Sequence, residues 1–155
     1  MKKSANQLVA YVENTGGGFW KQIGLWGQAT AIVLEGTFVP DMRTISEGLD
    51  GFIATGAKQH IPIMMLSVAE AHYNEEAYDD ALKILDQSNA LIQETAQHFY
   101  EPEMWRWRGL VLYARGETEA AIASLEKAIS VADSQESVSW RDRAQETLNE
   151  IVKQS

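Results

Sequence analysis

Apolar residues recur at helical spacing along nearly all of this chain, and no stretch alternates as a strand would. Residues 4–13 carry Leu8, Val9 and Val12 and predict a short helix, which the run Asn14-Thr15-Gly16-Gly17-Gly18 breaks. Residues 19–34 hold Phe19, Trp20, Ile23, Leu25, Trp26, Ala29, Ile32, Val33 and Leu34, with Lys21 as their one charge. A helix apolar on every side is expected to be covered on every side. After a turn at Glu35-Gly36-Thr37, residues 40–54 predict its partner, with Met42, Ile45, Leu49 and Ile53 inward and Thr55-Gly56 at its end. Residues 61–73 are again apolar over most of their surface. Asn74-Glu75-Glu76 turns the chain into 78–95, where Ala81, Ile84, Leu85 and Leu91 point inward. A longer link follows, and its pair Phe99-Tyr100 is expected to plug the gap between helices. Residues 139–153 close the pattern as an amphipathic helix with Trp140, Ala144, Leu148, Ile151 and Val152 on its dry stripe.

Residues 101–132 order the rest. They read as two helices joined at Arg115-Gly116, with Trp105, Gly109 and Leu112 on one stripe and Ala121, Leu125 and Ala128 on the other. Glycine inside a helix is unfavourable by about 1 kcal/mol relative to alanine, so Gly109 predicts the close approach of a neighbouring backbone. The pattern recurs at a period of 40. Gly109 maps to Ala69 and Ala29, Leu125 to Leu85 and Ile45, and Ala128 to Ser88 and Gly48. Trp105 maps to Met65 and Leu25, Ala121 to Ala81, and Pro102 to Pro62 near a helix start, where proline is tolerated. Asp41 departs from the pattern at the place of Ala81 and Ala121, in the second helix of the first unit.

The arrangement W-x3-G-x11-A-x3-L-x2-A resembles a tetratricopeptide repeat. The run AEAHYNEEAYDDALKILDQSNALIQETAQHFYEPEMWRWRG, followed by SLEKAISVADSQESVSWRDRA, resembles the C-terminal repeat region of large bacterial signalling ATPases, which often carry an adenylate-cyclase or transcription-activator module. The likeness spans roughly residues 8–153 and is better in the last two units. It implies an all-α fold of a single domain: a right-handed solenoid of about three helix-turn-helix units at 19–54, 61–95 and 101–133. A helix at 4–13 precedes them, and a cap at 139–153 closes the C-terminal end. The cyclase, ATPase and DNA-binding modules have no counterpart here, so none of their activities carries over. What carries over is a helical sensor or docking domain.

Composition narrows the chemistry. The chain of 155 residues can bury a continuous core. It has no cysteine, hence no disulfide, thiolate nucleophile or cysteine-bound metal, which fits a reducing cytoplasm. A net charge of −9 opposes phosphate-backbone binding, and no apolar run is long enough to be a leader or a membrane span. Five acids stand between Glu70 and Asp80 without a lysine or arginine, as a solvated turn or as a docking surface for a basic partner. The glycines at 16–18 follow no strand and precede no Gly-Lys-Ser/Thr, so no phosphate loop is expected.

Catalytic candidates are few. The histidines are His60, His72 and His98, with no His-Glu-x-x-His helix and no nucleophile elbow. His72 falls at the repeat place of Leu112 and is read as packed, not as a ligand. No enzyme, cofactor or metal site is therefore expected. The leading expectation is a protein-binding groove lined by Ile23, Trp26, Thr30, Ile63, Leu66, Glu70, Tyr73, Glu103, Arg106, Leu110 and Tyr113. Family members that clamp a terminal carboxylate use lysine, asparagine and arginine there. Arg106 is the one cation in this set, which favours an apolar or amphipathic segment instead. A homodimer through the first unit, with Trp26 at its centre, is the other expectation.

Overall fold

The computed structural model describes residues 61–154 together with Gln7, Ala10 and Ala54. Gln7 and Ala10 are helical and exposed, inside the helix expected over 4–13, and Ala54 is helical. The remainder of the first unit at 19–54 lies outside the described residues.

Within residues 61–154 five α-helices follow one another: α1 Ile61–Asn74, α2 Tyr78–Thr95, α3 Glu101–Ala114, α4 Thr118–Ser134 and α5 Val138–Gln154. A 3-10 turn, His98–Tyr100, leads into α3. The described residues contain no strand, and none of their helices is long and apolar enough to cross a membrane. The fold is all-α, as the periodicity predicts.

Two levels of packing build it. Within pairs, α1 lies against α2 and α3 against α4, while α5 packs on α4. Between pairs, α2 packs most extensively on α3, and α3 meets α5 and α1 meets α3 to a smaller extent, whereas no packing of comparable extent joins α2 to α4. One face is therefore shared by the first helices of successive pairs.

The period of 40 is written into this core. Ala69 and Gly109 are buried at equivalent places, as are Ala81 with Ala121, Leu85 with Leu125, and Ser88 with Ala128. Pro62 and Pro102 are buried near helix starts. The period also continues into the last helix: Met64, Met104 and Ala144 are all buried, and so are Ala71, Val111 and Ile151. Ser88 fits where a small residue is needed, but its Oγ finds no hydrogen-bond partner.

Gly109 is the tightest place. A Cβ built there would stand 2.7 Å from Leu125 Cγ and 3.1 Å from the Ala121 carbonyl oxygen. The missing side chain lets α4 seat a leucine against the backbone of α3.

The turns repeat with the same period. Glu76 and Gly116, 40 residues apart, both take left-handed φ, at 59° and 85°, and Ala96 and Glu136, again 40 apart, both take 54°. Ala77 N–H donates to the His72 carbonyl, Glu117 N–H to that of Leu112 and Ser137 N–H to that of Ala132, each at 2.9 Å. These six-residue closures satisfy carbonyls that a helix end would leave free. Only one of the four left-handed positions is glycine, although the conformation is unfavourable for residues with a Cβ. Acids enter the first turns of α2, α3 and α4, where the helix dipole favours them.

Three expectations need correction. Phe99 does not plug a gap: it is 63% exposed and meets Tyr100 and Trp140 edge-on, leaving Tyr100 to pack on the core. The 3-10 turn ahead of α3 sets Tyr100 against the core and leaves Phe99 on its outer edge. On α2 the fully buried residue is Ile92, with Leu91 only partly covered, because the register is set by Ala81, Leu85 and Ser88. On α5 Val152 is 56% exposed and Thr147 is buried instead, on the side of α5 that meets α3.

Gly109→Ala gains helix propensity of about 1 kcal/mol, yet it overpacks a site with backbone on one side. We expect a net loss of about 1–3 kcal/mol in urea unfolding. A midpoint at or above that of the parent would show that α3 and α4 are not held this closely.

Candidate functional site

Eight of the residues expected to line the groove lie on α1 and α3. On α1 the residues Leu66, Glu70 and Tyr73 fall on one stripe, and on α3 the equivalent places are Arg106, Leu110 and Tyr113. Ile63 and Glu103 are likewise 40 apart. Ile23, Trp26 and Thr30 lie outside the described residues.

Exposure differs sharply among them. Leu66 is 5% exposed and belongs to the core. Ile63, Glu70, Tyr73, Leu110 and Tyr113 are partly exposed. Tyr73 packs its ring 5.6 Å from that of Trp107 and 5.9 Å from that of Tyr78.

Glu103 and Arg106 are largely spent on each other. Arg106 donates from Nε to Glu103 Oε2 at 2.8 Å and from Nη2 to Oε1 at 2.7 Å, a two-pronged pair on consecutive turns of α3. Their side chains are 9% and 11% exposed. Arg106 also lies 5.2 Å from the centre of the Trp107 ring.

The last helix completes the cluster. Arg143 Nη2 stands 3.1 Å from Glu103 Oε1, and Arg106 Nη1 reaches Thr147 Oγ1 at 3.4 Å. Arg143 is half exposed and lies 5.3 Å from the Trp140 ring centre. Arg106 is therefore not the one cation of this face. Sequence reasoning missed Arg143 and Thr147 because residues 139–153 were read only as a cap. Adding 40 to Glu103 and to Trp107 would have found both.

Glu70 is the remaining carboxylate. It makes neither a hydrogen bond nor an ion pair with any described residue. Burial lifts its pKa above the ordinary glutamate value of 4.5; Arg106 and Arg143 oppose the rise and Glu103 adds to it. Desolvation outweighs the two guanidinium groups because both are directed at Glu103.

The acid-rich turn is solvated. Glu75, Glu76, Asp79 and Asp80 are exposed, and Asp79 pairs with Arg115 at 2.9 Å. At the link before α3, Glu101 accepts from Gln93 at 3.3 Å and meets His98 Nδ1 at 2.7 Å. Gln135 donates to the His98 carbonyl at 2.7 Å, tying the end of α4 to the same link. His72 is packed with Nδ1 unpartnered, and no group of three or more His, Asp or Glu among the described residues could hold a metal ion. A shallow hollow along α5, between Asp142, Glu146, Glu150 and Lys153, is walled by one helix and cannot enclose a small molecule.

Comparisons of the chain with protein-family models, with curated proteins and with solved structures return no match.

Removing Glu103 would leave two guanidinium groups facing each other, one of them buried. Glu103→Gln should lower unfolding free energy by about 3 kcal/mol. Arg143→Gln should lower it by less than about 1 kcal/mol, because the half-exposed guanidinium contributes little. Equal losses for the two variants in urea unfolding would contradict a network centred on Glu103.

Glu70 makes a separate pH prediction. Its folded pKa is raised, so the folded chain holds this proton more tightly than the unfolded chain. Stability therefore falls as pH rises from the unfolded pKa through the folded one, and the loss is complete above it. Glu70→Gln should match the parent near about pH 4 and exceed it in stability near about pH 7.5. A variant less stable than the parent at the higher pH would show that Glu70 is paired when ionised.

Proposed function

We propose that this chain is a non-catalytic protein-binding module: a right-handed solenoid of tetratricopeptide-type helix pairs that receives an apolar or amphipathic segment on the face of α1, α3 and α5. Its setting would be bacterial signalling or regulation, the context of the chains whose repeat region it resembles. The observation that carries the reading is the packing asymmetry. Each first helix touches the next along the chain and α2 packs on α3 behind them, while α2 and α4 share no comparable contact. Such stacking makes a continuous surface from one stripe of each first helix.

That surface has the mixture a docking face needs. Ile63, Leu110 and Tyr113 offer partly exposed apolar and aromatic area, and the Glu103–Arg106–Arg143 cluster fixes the helices beneath them. Fixed apolar anchors beside charged groups suit recognition of a helical or extended segment. No catalytic role is assigned, because both arginines of the face are engaged by Glu103.

Selection of binders from a library of amphipathic peptides tests the reading on the full chain. We expect sequences with recurring apolar anchors, whose affinity falls at least about tenfold for Leu110→Glu, since a carboxylate is then pressed against apolar anchors. Glu126→Gln, on the exposed side of α4, should change nothing. No binders, or binders indifferent to Leu110→Glu, would overturn it.

A further inference from the structure

We infer that the segment received on this face is basic, and that one of its lysine or arginine side chains pairs with Glu70. The inference rests on the docking reading above and adds the chemistry of the partner.

Glu70 stands on α1 between the buried Leu66 and the partly exposed Tyr73, half-buried and without a hydrogen-bond or ion-pair partner among the described residues. The two cations near it are held elsewhere. Arg106 grips both oxygens of Glu103, and Arg143 shares one of them. The carboxylate is thus desolvated without a hydrogen bond to offset the loss, a state that an incoming donor relieves. Tyr73, one turn away, and Leu110, at the equivalent place on α3, supply apolar surface beside it. A lysine or arginine can lay its methylene stem on such surface while its head reaches the acid.

The other exposed acids of the face agree in sign, and its two arginines, Arg106 and Arg143, are engaged by Glu103. On α5 the places equivalent to Arg106 and Leu110 are Glu146 and Glu150, both exposed. Residues 61–154 hold 17 acids against 8 lysines and arginines, so the whole net charge of −9 lies on the described helices. An acidic segment would meet Glu70, Glu146 and Glu150 together. Like charges set opposite each other select against that partner.

Two designed peptides of about 16 residues, roughly four helical turns, test this. They share one leucine and alanine face and carry either lysine or glutamate on the polar flank. Fluorescence anisotropy with the full chain is read at low and at physiological salt. We expect the lysine peptide to bind at least about tenfold tighter than the glutamate peptide and to weaken as salt rises. Glu70→Gln, which keeps the shape of the side chain, should weaken it about three- to tenfold, and Glu70→Lys should reverse the preference. Glu126→Gln should leave it unchanged. Circular dichroism confirms that each variant is folded. Glutamate-peptide binding as tight as lysine-peptide binding would overturn the inference while leaving the docking reading intact. Equal weakening by Glu126→Gln and Glu70→Gln would overturn it too, by tracing the preference to the charge of the whole surface. If neither peptide binds, the docking reading and the inference fall together.

Discussion

The close seating of α4 on α3 is the constraint from which the rest of the fold follows. It exists because Gly109 has no side chain and because Leu125 fills the space left. Once α3 and α4 are fixed at that distance, the six-residue closure at Glu117 sets the turn between them. The same closure at Ser137 brings α5 back onto α4 and within reach of α3. The equivalent pair, α1 with α2, uses Ala69 in place of the glycine and the same closure at Ala77. A single local geometry, used twice at a spacing of 40, therefore gives the stack and the face that its first helices share.

Polar chemistry sits on this frame as a second layer. Glu103 holds Arg106 on its own helix and Arg143 on the next, so the cluster joins two first helices where they meet. Such a pair is weak evidence for stability when compared with apolar packing, since removing charges from water is costly. Its role here is one of arrangement: it occupies both arginines and leaves Glu70 without a counter-ion at contact distance among the described residues. The electrostatics of the face thus follow from which acid the arginines reach first.

Much of this was legible in the sequence, for identifiable reasons. Glycine in a helix interior is rare enough that Gly109 announced a close contact, and Gly116 announced a turn. Period and spacing placed Ala81, Leu85, Ala121 and Leu125 in the core, where they are. The left-handed turns at Ala96 and Glu136 were not legible, because neither residue favours that conformation and tertiary packing imposes it. Phe99 misled because an aromatic residue in a link reads as filler, whereas the 3-10 turn directs it outward. The predicted site residues on α1 and α3 recur at a spacing of 40, but their availability could not be read from spacing. Leu66 is core, and Glu103 with Arg106 are mutually neutralised by a contact that needs α5.

The central claim is that Gly109 and Leu125 form one interlocked contact, and a double-mutant cycle measures it directly. Leu125→Ala removes the atom that a Cβ at position 109 would strike. Gly109→Ala should then lose most of its penalty in that background, giving a coupling of about 1–2 kcal/mol between the two sites in urea unfolding. Penalties that add within about 0.5 kcal/mol would mean that the two residues do not meet, and would contradict the account.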